Sequence, residues 1–249
     1  MKVLLILLTF SFSTYAFSKS IRIGGLIHIP PYFNKTKNTG IELELLSAAF
    51  KQAGYDNTLT IFSSSKRAIQ LLNHEEVDAI VSNKRDSFYG EVENIYTSHN
   101  ILNFIDCAIT LKTSPLSSQK VSSLKGKAIW AFPGASTSLG DQFKEVIKGN
   151  NQYTEFIDQL NQPKALIKKR IDVAISDRNI FVTQAIKDGY SPSDFLFTNV
   201  VGSTTPRSLR FKDKSLRDKF DKALKEIRKN GDYKKVLMKY KELYRPTCN

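Results

Sequence analysis

The sequence predicts an α/β protein of two similar lobes, each a mainly parallel sheet flanked by helices, joined by two extended crossings. Three observations carry this. A short basic helical stretch from Pro163 to Arg170 runs straight into Ile171-Asp172-Val173-Ala174-Ile175-Ser176-Asp177, a run of β-branched and small apolar residues that reads as a buried parallel strand. The same unit occurs earlier, as Ala68, Leu71 and Leu72 at helical spacing followed by Val77-Asp78-Ala79-Ile80-Val81-Ser82-Asn83. A chain of 249 residues accommodates two lobes, each of about 100 residues. Both units end in hydrogen-bonding side chains, Ser82-Asn83 and Ser176-Asp177. In open α/β sheets ligands bind outside the carboxyl ends of the strands, so two such ends facing each other would frame a cleft.

The chain opens with Met1-Lys2, an apolar run from Val3 to Phe12 and then Ser13-Thr14-Tyr15-Ala16. That order fits a secretory signal peptide over residues 1–16, and the run is too short to span a membrane. The mature chain is expected to begin near Phe17. With no Cys directly after the cleavage region, a lipid anchor is not expected, and the reading points to the periplasm.

Ile21 to Gly25 opens the first strand, and Ile29-Pro30-Pro31-Tyr32-Phe33 ends it in a loop whose prolines hold the aromatics in place. A helix follows from Gly40, burying Leu45, Leu46, Ala49 and Phe50 and stopping at Gly54. Thr58 to Phe62 is a β-branched strand, and Ser63, Ser64 and Ser65 offer an N-cap to the next helix. The apolar run Ile101 to Leu111 leads into Thr113 to Ser118, the clearest linker, where the first crossing is placed. Ala128 to Phe132 is a strand feeding Pro133-Gly134-Ala135-Ser136-Thr137-Ser138 and a helix with Leu139, Phe143, Val146 and Ile147 on one face. A Gly-Ala-Ser-Thr turn offers free N–H groups and hydroxyls suited to an anion; equally, Ser136 or Thr137 is simply the N-cap. Tyr153 to Phe156 reads as a strand, Ile180 to Lys187 as a helix, Phe195 to Val201 as a strand, and Gly202 to Arg207 as the second crossing. Two amphipathic helices close the chain, one with Leu216, Phe220, Ala223, Leu224 and Ile227, the other with Tyr233, Val236, Leu237 and Tyr240. The resulting division is 17–112 for lobe 1, 113–203 for lobe 2, and 204–249 returning to lobe 1.

A formal charge of +13 raises the question of nucleic acid, but Lys and Arg are spread along the chain with acids interleaved and no recognition motif. They read as solvated helix faces, and no nucleic-acid partner is expected. Cys107 and Cys248 leave one disulfide open in an exported chain; Cys107, in an apolar run, also reads as a small buried hydrophobe. His28, His74 and His99 have neither metal-ligand spacing nor a nucleophile elbow nearby, so no metal, cofactor or catalytic set is expected.

Taken in order, these pieces resemble the periplasmic solute-binding proteins of the polar amino-acid type (extracellular solute-binding protein family 3), which deliver ligands to ABC importers. The resemblance runs from about Ile21 to Leu243. It rests on the Pro30-Pro31-Tyr32 loop with Gly40-Ile41-Glu42-Leu43-Glu44-Leu45, on Val77-Asp78-Ala79-Ile80 and Ile171-Asp172-Val173-Ala174, on Leu124-Lys125-Gly126-Lys127, and on the ending Phe220 to Tyr233. It implies the two-lobe periplasmic-binding-protein fold, closing around a ligand and presenting the closed surface to a membrane partner. By the same resemblance Tyr32 packs on the ligand, Ser136 and Thr137 meet its carboxylate, and Asp177 receives its amino group.

The usual Thr-x-x-Arg after the first repeat strand is missing; the stretch reads Ser82-Asn83-Lys84-Arg85-Asp86. Arg85 and Arg67 are alternative carboxylate-gripping residues, or surface arginines paired with Asp86 or Glu75. Glu75 and Lys169 stand at two helix ends where the family has Gly. The expected function is binding of a small polar solute, an amino acid or related zwitterion or anion, by a monomer for an ABC importer permease. The alternatives are a sensor presenting the closed form to a membrane receptor and, last, a periplasmic hydrolase.

Overall fold

The computed structural model describes residues 19–82, 94–156 and 158–248. The expected signal peptide lies outside them. Lobe 1 is built from β1 (Ser20–Leu26), α1 (Ile41–Gln52), β2 (Asn57–Phe62), α2 (Ser65–Asn73), β3 (Ala79–Ser82) and the short β4 (Tyr96–Thr97). The long strand β5 (Leu102–Leu111) leads to lobe 2, with β6 (Ile129–Ala131), α3 (Ala135–Ser138), α4 (Asp141–Ile147), β7 (Tyr153–Glu155), α5 (Gln162–Ile167), β8 (Val173–Asp177) and α6 (Arg178–Lys187). The 17-residue β9 (Phe195–Phe211) returns to lobe 1, where α7 (Lys214–Lys229) and α8 (Asp232–Lys239) pack.

The strand order is β2-β1-β3-β9-β5-β8-β6-β7, with β4 also on β9. In lobe 1, β2, β1 and β3 run parallel and Ser208–Phe211 of β9 adds antiparallel to β3. In lobe 2, β7, β6 and β8 run parallel and β5 adds antiparallel to β8. The lobes are thus joined by β5 and β9, which pair with each other along both halves. The crossing expected in Thr113–Ser118 lies within β5 itself, because β9 offers it a continuous partner and the Ser/Pro loop falls beyond its far end. Likewise Phe195–Val201 and Ser208–Phe211 are one strand, interrupted only by a bulge: Asp106 pairs with Ser203 and Ala108 with Thr198, leaving residues 199–202 opposite Cys107. Gly202, at φ 57°, turns that bulge.

Each sheet is covered on both faces, as a buried parallel sheet requires. In lobe 1, Ala49 and Phe50 of α1 and Phe220 and Leu224 of α7 pack over Leu209 and Phe211, while α2 lays Ala68, Leu71 and Leu72 on Val77 and Ile80. In lobe 2, Phe143 and Ile147 of α4 cover Val173 and Ile175, and Ala165, Leu166 and Phe181 cover Ala174 and Ile109 on the other face. Ser64 caps α2 by accepting from the Arg67 N–H at 3.3 Å. The single helix expected after Ser136 is two, because Gly140 at φ 86° breaks it between α3 and α4. Glu75 and Lys169, after α2 and α5, take the left-handed conformation at φ 57° and 53° that glycine would occupy more cheaply.

The end of the chain departs from its expected place. Cys107 and Cys248 are joined in a disulfide, 141 residues apart in sequence, so Cys107 is buried as a bridge and not as a lone hydrophobe. Tyr240 and Tyr244 still pack on lobe 1, but Arg245 and Cys248 lie on lobe 2, so the tail makes a third connection between the lobes beside β5 and β9.

Candidate functional site

The parallel strands β7, β6 and β8 deliver their carboxyl ends to one edge of lobe 2. Glu155 ends β7, the Phe132–Ser138 turn follows β6, and Asp177 ends β8. Across β5 this edge meets the Ile29–Gly40 loop of lobe 1. That loop is fixed by the Ile29–Phe33 and Asn34–Thr39 bridges and by Gly40, at φ 142°, where a Cβ would run into the Tyr32 carbonyl. Gly40 is the position in this loop that must be glycine.

Tyr32 and Asp177 meet directly. Tyr32 is 0% exposed and Asp177 2%. The Tyr32 hydroxyl donates to Asp177 Oδ2 at 3.0 Å, and the Ile105 N–H donates to the same oxygen at 2.6 Å. Oδ1 accepts from the Asn179 and Ile180 N–H groups, both at 2.9 Å, which makes Asp177 the N-cap of α6. One carboxylate therefore ties lobe 1, the β5 crossing and a lobe 2 helix together. Burial pushes the Asp177 carboxyl up to about 7; the N–H groups of Ile180 and Ile105 oppose this, and the charge of Asp106, its neighbour on β5, adds to it. Asp106 is itself buried and accepts from the Thr205 hydroxyl at 2.9 Å.

Around this pair the packing is continuous. The Tyr32 ring stacks on Phe104 at 4.2 Å, and the Arg207 guanidinium lies 4.6 Å from the Phe104 ring while its Nε donates to Glu42 Oε1 at 3.2 Å. Asn179 donates to the Tyr32 oxygen at 3.0 Å and to the Arg245 carbonyl at 3.1 Å, and accepts from the Arg245 N–H at 2.9 Å. Arg178 Nε donates to the Cys248 carbonyl at 3.3 Å. The closing tail is thus held on lobe 2 by the disulfide and by two consecutive residues of α6.

The folded-state pKa of Asp177 lies above its ordinary 3.8, so between 3.8 and about 7 the folded protein keeps a proton that the unfolded chain has released. The contribution to stability is full below that window and is lost as pH rises through about 7, with a slope of up to about 1.4 kcal/mol per pH unit. Thermal melts from pH 5 to 8 are expected to fall more steeply for the natural protein than for Asp177→Asn. Parallel curves would contradict the assignment.

The Ser136-Thr137 turn is occupied in a way the sequence did not suggest. Gly134 and Ser136 donate their N–H groups to the two oxygens of Glu155, at 2.5 and 2.8 Å, and the Tyr153 hydroxyl donates to Oε1 at 2.9 Å. Burial works to raise the Glu155 pKa, but the Ser136 and Gly134 donors and the Tyr153 hydroxyl outweigh it and hold the carboxyl below its ordinary range. The Thr137 hydroxyl donates to the Gly134 carbonyl at 3.0 Å. Ser82 is buried at the end of β3 and lines a pocket of about 270 Å³ with Ser98, Asn100, Ser208 and Arg210. Arg67 is exposed and lies 3.6 Å from Glu76, a neighbour of the Glu75 expected as its partner. Asn83 and Arg85 fall outside the described residues.

Of the residues named from the sequence, Tyr32 and Asp177 meet across the lobes while Ser136 and Thr137 bond within lobe 2; Glu155, Asn179 and Arg207 are not among those named. A signal existed for the first two: a carboxylate at the last residue of a strand, and an Asx residue two places after a strand-ending Asp. Among the described residues there is no cluster of metal-ligating side chains and no helix long and apolar enough to cross a membrane.

The profile of the bacterial extracellular solute-binding proteins, family 3, matches residues 21–242. The histidine-binding periplasmic protein of Escherichia coli strain K12 is 26% identical over 94% of this chain and 94% of its own length. The arginine-binding extracellular protein of Bacillus subtilis strain 168 is 24% identical over 81% of this chain and 77% of its own. In three dimensions the chain is similar to a substrate-binding protein of an ABC uptake transporter from Streptococcus pneumoniae, solved with histidine. That likeness has a TM-score of 0.67 at 17% identity, covering 90% of this chain and 92% of the other.

Proposed function

The chain belongs to the bacterial extracellular solute-binding proteins of family 3, and on that premise we propose that it captures a small solute of the polar amino-acid type between its lobes, outside the membrane, and hands it to an ABC importer. The periplasm is the compartment that the opening residues and the histidine-binding relative favour. The observation that carries the reading is the convergence of the β6, β7 and β8 ends on an edge that lobe 1 meets through Tyr32.

The solute would lie along that edge, with Ser136 and Thr137 on one side and Ser82 and Arg67 as candidates on the other. Its ammonium would reach Asp177 by exchanging with the Tyr32 hydroxyl on Oδ2, so that a good acceptor is never left bare. Closure is favoured only by the contacts the solute adds to the closed state. Two lobes joined by paired strands β5 and β9 can approach without breaking either sheet, bending at the bulge opposite Cys107.

A thermal-shift screen of amino acids, polyamines and small organic acids tests this. A ligand present at about 100 times its Kd stabilises the folded form by about 2.7 kcal/mol, a rise of roughly 5 to 10 °C for a chain of this size. One chemical class is expected to give that rise. A folded protein whose melting temperature responds to none of them contradicts the proposal.

A further inference from the structure

We propose that Glu155 is a specificity-determining residue that fills the 134–136 turn with the chain's own carboxylate, so that the preferred solutes are amines lacking an α-carboxylate. This rests on the binding reading above and narrows it. The geometry is that of a carboxylate already bound. Gly134 and Ser136 point their N–H groups at different oxygens of Glu155, the Tyr153 hydroxyl donates to Oε1, and the Ser136 side chain bonds the carboxylate as well. Gly134 takes a left-handed conformation, φ 81° and ψ 10°, that turns the two N–H groups to the same side.

Glu155 is placed there by the sheet and not by chance of a long side chain. β7 lies parallel to β6 with Glu155 in register with Ala131, four residues before Ala135, so the end of one strand abuts the turn that follows the other. Tyr153, two residues earlier on the same face of β7, is anchored edge-on to Phe143 at 5.9 Å and supports the carboxylate from below. Among the described residues no Lys or Arg stands within ion-pair distance of Glu155, and the donors that hold it are the N–H groups of the turn with the Tyr153 hydroxyl and the Ser136 side chain. A solute carboxylate brought to the turn would have to displace that charge or sit beside it, and like charges in contact are unfavourable. An ammonium or guanidinium meets the opposite: the Glu155 charge at the end of β7 stands beside the β6 turn, with the acceptor oxygens of Asp177 at the end of β8 on its other side.

Matched pairs of probes read this directly: arginine with agmatine, histidine with histamine, lysine with cadaverine, each pair differing by the α-carboxylate. Titration calorimetry on the full mature chain is expected to show the amine of a binding pair held at least tenfold tighter than its amino acid. Glu155→Ala frees both N–H groups and is expected to shrink that ratio to near one or invert it. Glu155→Gln, which keeps an acceptor in the turn without the charge, is expected to move the ratio the same way and serves if the alanine variant does not fold. If neither variant folds, the ratio in the natural protein decides. An amino acid bound more tightly than its amine, or a ratio unmoved in a folded variant, overturns the inference and leaves the binding reading standing. No heat from any of the six probes also overturns it; the wider thermal-shift screen then shows whether the binding reading falls too.

Discussion

Replacing Cys107 and Cys248 together with alanine is expected to lower the unfolding free energy by roughly 2–5 kcal/mol. The bridge closes a span of 141 residues. On the chain-entropy account a loop of that length costs the unfolded ensemble about 5 kcal/mol, the upper end of what such bonds deliver. The loss is local as well as global. Without the bond, the tail still has the Arg178 bond to the Cys248 carbonyl and the paired bonds between Asn179 and Arg245, which are non-covalent and open more easily. Amide exchange at Arg245 should then accelerate far more than exchange in α7. Urea unfolding checks the first expectation; a midpoint unchanged from the natural protein would contradict it.

Arg207→Ala is expected to cost about 3–5 kcal/mol, because it removes the cation from a buried ion pair. Glu42 is 0% exposed and Arg207 8%, with the guanidinium Nε 3.2 Å from Oε1 and 3.3 Å from Oε2. The pair joins α1 of lobe 1 to β9 just past the crossing, and the Arg207 face covers Phe104, on which Tyr32 stacks. Removing both charges as Glu42→Leu with Arg207→Met should recover most of the loss, since an apolar pair carries no desolvation cost. Chemical denaturation of the single and double variants gives the coupling. A single variant within 1 kcal/mol of the natural protein would mean that the pair is not holding the crossing.

Much of this fold was legible because its signals are local. The two repeat units, the helix stop at Gly54, the Ser64 cap and the two closing amphipathic helices each follow from residues adjacent in the chain, and each stands where expected. Glu75 and Lys169 could be singled out as non-glycine helix ends, and both take positive φ. What escaped depends on residues far apart in sequence. No pattern near Thr113–Ser118 tells that β5 has a full-length partner in β9, about ninety residues on. The tail on lobe 2 follows from a bond between Cys107 and Cys248 that two cysteines alone leave open.

For the candidate site, motif positions name Tyr32, Asp177 and the Ser136-Thr137 turn as candidates and say nothing of their bonding. A motif does not tell that Tyr32 donates to Asp177, nor that Glu155 takes the N–H groups of the turn. Both are contacts across strands or lobes, where the donor and acceptor are chosen by register. Asn179 escaped for the same reason, since its partners Tyr32 and Arg245 lie 147 and 66 residues away.

The account stands or falls on where a solute binds. A crystal structure of the protein with the compound that most raises its melting temperature answers this. The account predicts that compound between the lobes, within hydrogen-bond distance of the Asp177, Glu155 or Ser136-Thr137 edge and of at least one lobe 1 side chain. A compound seated on the outer face of a single lobe, leaving that edge untouched, would contradict it.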